Sequence, residues 1–126
     1  MLTFIYNFFF FFNFLFFFCF LTGVMGAKNT SSILPFCHPL PLEFIDIKIE
    51  VDERKTHTLR IDCIVKTTHK TGVEMEAIIG ATHAAVCIYD MLKAISHDII
   101  ISQIQLISKS GGKSAYVNRE PLPPSA

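Results

Sequence analysis

KTGVEMEAIIGATHAAVCIYDMLK, residues Lys70 to Lys93, decides the fold. Thr71 is a candidate helix N-cap, since a threonine oxygen can accept from an unpaired N–H of the first turn. Glu74 and Glu76 fall in that first turn, where the helix dipole favours negative charge. A long run of Ala, Ile, Val, Met and Leu follows without proline, and Gly80 is its one weak helix former. The run is apolar on nearly every side, which predicts a buried helix reaching about Ser96.

Its polar exceptions are the informative positions. Glu76, His83, Asp90 and His97 recur every seven residues. A step of seven drifts only ~20° around a helix, so they form one stripe. Lys93 follows Asp90 by three, within pairing reach. Such a stripe fits either satisfied ion pairs at a subunit contact or acid–base chemistry on a polar substrate. Glu76 and Asp90 are separated by ~21 Å of helix at 1.5 Å per residue. For both to serve one reaction, a large substrate must bridge them or two subunits must build the site.

Upstream of the helix, Ile45, Ile47, Ile49 and Val51 alternate with Asp46, Lys48, Glu50 and Asp52, which predicts a half-buried strand. Leu59, Ile61, Cys63 and Val65 repeat the pattern beyond the charged turn DERKTH, so the two strands should form an antiparallel hairpin. GVMGAKNTSSILP (23–35) reads as the last turns of a helix stopped at Pro35. Pro39 and Pro41 flank the His38 region and favour extended backbone there. Downstream, DIIISQIQLISK (98–109) predicts a third strand, bounded by SGGKS. Residues 118–126, with three prolines among the last six, predict a disordered tail. The order α-β-β-α-β predicts an α+β fold: a ferredoxin-like antiparallel sheet with helices on one face, lacking its first strand.

The chain has 126 residues, enough for one small domain, and 11 basic residues balance 11 acidic ones. That balance gives no general case for nucleic-acid binding. Cysteines 19, 37, 63 and 87 show no metal spacing. They read as free thiols in a reducing compartment. Cys37-His38 is adjacent but is not a ligand set, and no metal site is expected.

Residues 1–22, MLTFIYNFFFFFNFLFFFCFLT, hold 11 of the 13 phenylalanines and no charge. The run is long enough to span a bilayer but has neither the basic start nor the small-residue cleavage site of a secretory signal. It reads as a low-complexity segment, either a translated polypyrimidine tract or a membrane segment. A membrane partner is expected only in the second case. KSGGKS (109–114) is not a P-loop, because Ile107 stands where the first glycine belongs. Lys109 and Lys113, with exposed glycine amides between them, could still hold a phosphate.

GVMGAKNTSSILPFCHPL, KTGVEMEA, YDMLKA and KSGGKS occur in this order and with these separations. Together, over residues 23–117, they resemble the MoaC-type cyclic pyranopterin monophosphate synthases of molybdenum-cofactor biosynthesis. The resemblance implies conversion of 3′,8-cyclo-7,8-dihydro-GTP to cyclic pyranopterin monophosphate with release of pyrophosphate. It implies a ferredoxin-like α+β fold and a dimer-built hexamer with active sites at the dimer interface. The family's LCH substrate motif falls on Phe36, Cys37 and His38, with Phe replacing Leu. Its acidic substrate-binding segment falls on Glu74, Met75 and Glu76. Its catalytic aspartate falls on Asp90, with the catalytic lysines on Lys93 and Lys109, and Lys28 matches a further basic position. No cofactor is expected to be required, with Mg²⁺ an open option. The compartment would be the mitochondrial matrix for a eukaryotic source and the cytoplasm for a prokaryotic one.

The family's first strand and an HHKGD-type motif, whose lysine belongs to its active site, have no counterpart here. The Phe-rich run stands in their place, so the expectation is an N-terminally truncated member. Two readings follow: a synthase, or a catalytically impaired fragment acting only as an oligomer or interaction subunit. Partial burial would tune Lys93 and Lys109 as acid or base. Asp90 would orient Lys93, and His38 and the glutamates would hold the base or shuttle protons.

Overall fold

Alternating isoleucines build the sheet. The computed structural model describes residues 2–117, with residues 2–9 given by backbone alone. Strand β1 (Phe44–Val51) pairs antiparallel with β2 (Leu59–Lys66). Ile45 lies opposite Val65, Ile47 opposite Cys63, and Ile49 opposite Ile61. These apolar members share one face because side chains alternate along a strand. On the other face Lys48 opposes Asp62 and Glu50 opposes Arg60, opposite-charge pairs of the kind that support a hairpin.

Two helices cover the apolar face. Helix α1 (Leu2–Lys28) packs against β1, and α3 (Glu74–Leu92) packs against β2 and α1. A short helix α2 (Thr30–Ile33) links α1 to the segment that enters β1. Leu15 and Cys19 of α1 meet Ile88 of α3 in a buried cluster joined by Ile49, Leu59 and Ile61. Burying such a leucine or isoleucine contributes ~1.5–3 kcal/mol. Farther along, Gly23 meets Gly80 and Ala84, and Gly26 meets His83. Residue numbers rise on one helix as they fall on the other, so α1 and α3 run antiparallel. The change of composition at residues 22 and 23 has no counterpart in the backbone, which stays helical through both.

The architecture is α+β, with an antiparallel sheet and helices on one face. Four local expectations are corrected. Helix α3 starts at Glu74, with Val73 as its N-cap and no capping side chain, not at Thr71. Thr71 instead ends a bend that begins at His69, and Gly72 lies so close to the Glu74 carboxylate that a Cβ there would come within 2.2 Å of it. The helix also ends at Leu92, short of Ser96.

Nor is α3 buried all round. It buries Glu76, Gly80, Ala84 and Ile88, a single i, i+4 stripe, while Val86 is 52% exposed. The stripe it buries is therefore set by small side chains that admit α1, not by polarity alone.

The third strand is the largest correction. Residues 98–107 form no strand, and only β3 (Ser108–Lys109) pairs, with β4 (Tyr116–Val117). Strand pattern without a ladder partner leaves the backbone irregular, and Ile100, Ile101 and Ile104 face outward. The expected tail, residues 118–126, lies outside the described residues. Both Phe10–Lys28 and α3 are long and apolar enough to cross a membrane by length and composition alone.

Candidate functional site

The site is built where three chain segments meet at the start of α3. The hairpin returns the chain through Thr67–Lys70 to Thr71, α3 begins at Glu74, and β3 brings Lys109 across. Lys109 Nζ donates a hydrogen bond to Glu74 Oε1, and both side chains are about three-quarters buried. That hydrogen bond first, then a backbone N–H at Glu74 itself, holds the Glu74 carboxyl below the usual carboxylate range.

Two clefts meet here at Thr71, and the Glu74–Lys109 pair lines the first of them. The first, of about 350 Å³, is lined by Lys70, Thr71, Gly72, Glu74, Lys109 and Lys113. Three lysines face one carboxylate there, so the lining is net cationic. Gly111 and Gly112 adopt positive φ, +79° and +69°, in the loop that carries Lys113. Only glycine takes that conformation cheaply, so the sharp turn from β3 back toward Gly72 depends on both. The second cleft, of about 420 Å³, is lined by His38, Pro39, Leu40, His69 and Thr71. Thr71 belongs to both, so a cationic compartment adjoins one with two imidazoles and an apolar wall.

Beside them Glu76 is buried, 3% exposed. The Cys37 thiol donates to its Oε1 at 3.9 Å. Burial first, and then the Glu76 charge and this contact, push the Cys37 thiol up. Cys37 is therefore a proton-bearing neighbour of the carboxylate and not a ready nucleophile.

The structure thus gathers His38, Glu74 and Lys109 around Thr71, and Cys37 with Glu76. Met75 lies between the two glutamates and is 40% exposed. Phe36 points away, 96% exposed. Asp90 and Lys93 lie at the opposite end of α3, ~24 Å along the axis from Glu74. There Lys93 Nζ donates to Asp90 Oδ1 at 2.6 Å, with side chains 53% and 67% exposed. The seven-residue stripe is therefore not a buried one: Glu76 is inside, His83 packs against Gly26 and donates from Nδ1 to Ile79 O, Asp90 is open, and His97 lies past the helix end.

Partial burial does not tune Lys93 as expected. Hydrogen bonding to Asp90 holds it above the ordinary lysine value, so Lys93 is an ammonium here.

Lys70 and His69 belong to the clefts and went unread in the sequence. Both lie in the bend that ends at Thr71, and no residue pattern marks that bend. Among the described residues no three His, Cys, Asp or Glu side chains gather to hold a metal ion.

The sequence matches the MoaC family over residues 16–112, beginning inside the Phe-rich run. The cyclic pyranopterin monophosphate synthase of Staphylococcus haemolyticus is 50% identical over 101 residues, 79% of this chain and 63% of that protein. That of Staphylococcus carnosus is 49% identical over 100 residues, 79% of this chain and 62% of that protein. Molybdenum cofactor biosynthesis protein 1 of Dictyostelium discoideum is 52% identical over 95 residues, which cover 75% of this chain and 15% of that protein. The chain thus spans less than two thirds of the length of these curated relatives.

Proposed function

This chain belongs to the MoaC family, and from that premise we propose that it acts in molybdenum-cofactor biosynthesis as a cyclic pyranopterin monophosphate synthase. The substrate is 3′,8-cyclo-7,8-dihydro-GTP, and the products are cyclic pyranopterin monophosphate and pyrophosphate. The observation that carries this reading is the pair of clefts joined at Thr71. A cationic compartment of Lys70, Lys109 and Lys113 suits a triphosphate, and the adjoining His38, His69 and Leu40 suit a purine-derived ring.

The chemistry divides along the same line. Pyrophosphate leaves with developing negative charge, which lysine ammoniums offset. The ring rearrangement needs proton donors and acceptors, and the imidazoles of the second cleft can serve as either. Lys109, held by Glu74, is a fixed cation rather than a swinging one. Asp90 and Lys93 cannot reach these clefts within one chain. They act on the same substrate from a second subunit, in a dimer-built hexamer with sites at the dimer interface. Asp90 keeps Lys93 protonated, so Lys93 serves as acid and electrostatic partner.

The test is product formation from 3′,8-cyclo-7,8-dihydro-GTP, read by chromatography of the pterin and by pyrophosphate release. Product above the level of an Asp90→Ala variant supports the reading. A folded oligomer with no product overturns it in favour of an interaction subunit.

A further inference from the structure

The sulfur chemistry of the core lies apart from both clefts. Four small residues bring the backbones of α1 and α3 together. A Cβ on Gly23 would sit 2.9 Å from Gly80 O and 3.2 Å from the Ala84 Cβ, and one on Gly80 would sit 3.3 Å from the Ala27 Cβ. The helices are antiparallel, so one turn beyond Gly23 on α1 lies opposite one turn beyond Ala84 on α3. Cys19 and Cys87 occupy those places. Thr22, on the same turn of α1, donates to Cys87 Sγ at 3.4 Å, and Cys87 packs on the cluster that contains Cys19.

We propose that Cys19 and Cys87 form a dithiol modification site, which a small hydroperoxide converts to a disulfide joining α1 to α3. A disulfide needs Cα atoms closer than ~7 Å, which requires the two helix backbones to come close on the faces that carry the cysteines. The glycine contacts one turn away bring the backbones close, and Cys87 packs on the cluster that holds Cys19. Both residues are free thiols in the reduced protein. Cys19 is fully buried and Cys87 half-buried, so Cys87 is the point of entry. Burial first, and then the Cys87 thiol beside it, push Cys19 up to about 12, so Cys19 is no nucleophile toward peroxide and serves only as the slower resolving thiol, giving up its proton as it bonds to the sulfenic sulfur beside it.

The steps balance. Cys87 sulfur attacks the outer oxygen of ROOH. An S–O bond forms, the O–O bond breaks, ROH leaves, and Cys87 becomes a sulfenic acid. Cys19 sulfur then attacks Cys87 sulfur, loses its proton, and expels hydroxide, which leaves as water. Two thiols and ROOH give a disulfide, ROH and water, and two electrons pass from sulfur to peroxide. The product suits its surroundings, because two weakly polar S–H groups in an apolar cluster are replaced by an uncharged bond.

The experiment treats the reduced full chain with hydrogen peroxide, blocks the remaining thiols, and maps peptides by mass spectrometry without reductant. A linked Cys19–Cys87 peptide, and an unfolding temperature raised by several degrees and returned by dithiothreitol, are expected. Cys19→Ser and Cys87→Ser should each lose the link and the shift, while Cys37→Ser keeps both. The inference is overturned by a link between chains, by a pairing that uses Cys37 or Cys63, or by Cys87 oxidised past the sulfenic acid without a link. If Cys19→Ser fails to fold, Cys87→Ala, at a half-buried site, carries the same comparison.

Discussion

Lys109, on β3, donates from Nζ to Oε1 of Glu74, the first residue of α3, 35 positions earlier in the chain. This one contact ties the Gly111–Gly112 loop to the helix that carries both glutamates. It also sets the charge of the cationic cleft, since it neutralises one lysine of three and leaves Lys70 and Lys113 for an anionic ligand.

The pair predicts an acid limb in stability. The folded Glu74 carboxyl titrates below its unfolded value of ~4.3. Its contribution is therefore complete above that unfolded value and is lost as pH falls through the depressed folded one. Glu74→Gln should destabilise the protein by ~1 kcal/mol at pH 7. The difference should vanish in strong acid. Urea midpoints of both proteins between pH 7 and pH 2 check it; a gap that stays constant with pH would contradict the pairing.

Gly23→Ala should destabilise the helix pair. A helical alanine gains ~1 kcal/mol over glycine, but the new Cβ would lie 2.1 Å from Ile47 Cδ1 and 2.9 Å from Gly80 O. Overpacking of that kind costs ~1–3 kcal/mol. Backbone oxygen cannot swing aside, so the clash wins. A lowered urea midpoint with an unchanged slope is expected.

Lys70→Ala and Lys113→Ala should each weaken pyrophosphate binding by ~10-fold, about the worth of one charge-assisted hydrogen bond. Both losses should shrink as salt is raised. Calorimetric titration at two ionic strengths measures this, and equal affinities for variant and parent would remove the anion role from the cleft.

Asp90→Ala should lower product formation by at least ~10²-fold. The side chain is 67% exposed and bonded only to Lys93 among the described residues, so unfolding should change by no more than ~0.5 kcal/mol. Size-exclusion chromatography alongside the product assay separates the two effects. A variant that dissociates would make the Asp90–Lys93 pair a structural contact instead.

The hairpin and the helix were legible because each pattern is enforced locally. Ile45, Ile47 and Ile49 find Val65, Cys63 and Ile61 across a short turn, and no other register buries all six. Residues 98–107 carry the same kind of apolar signal, but a strand exists only with a ladder partner, and pattern does not supply one. Helix α3 was read as buried from hydropathy, yet burial here follows size, with Gly80 and Ala84 admitting α1. At the site, Glu74, His38 and Lys109 were legible through motif resemblance. Lys70 and His69 were not, because a surface lysine and histidine carry no pattern until the bend through Thr71 turns them into a cleft. The separation of Asp90 from Glu76 was legible from helix rise alone.

That separation leads to the claim that two subunits build each site, and subunit mixing tests it most directly. Asp90→Ala and Lys109→Ala chains, each inactive alone, are unfolded together, refolded, and assayed for product. If Lys109 of one subunit works with Asp90 of the next, half the mixed dimers are hybrids and one of their two sites is intact, so about a quarter of parental activity returns. If hybrids form, as differently tagged subunits would reveal by co-purification, and the mixture stays as inactive as either variant, then the sites are not shared between subunits.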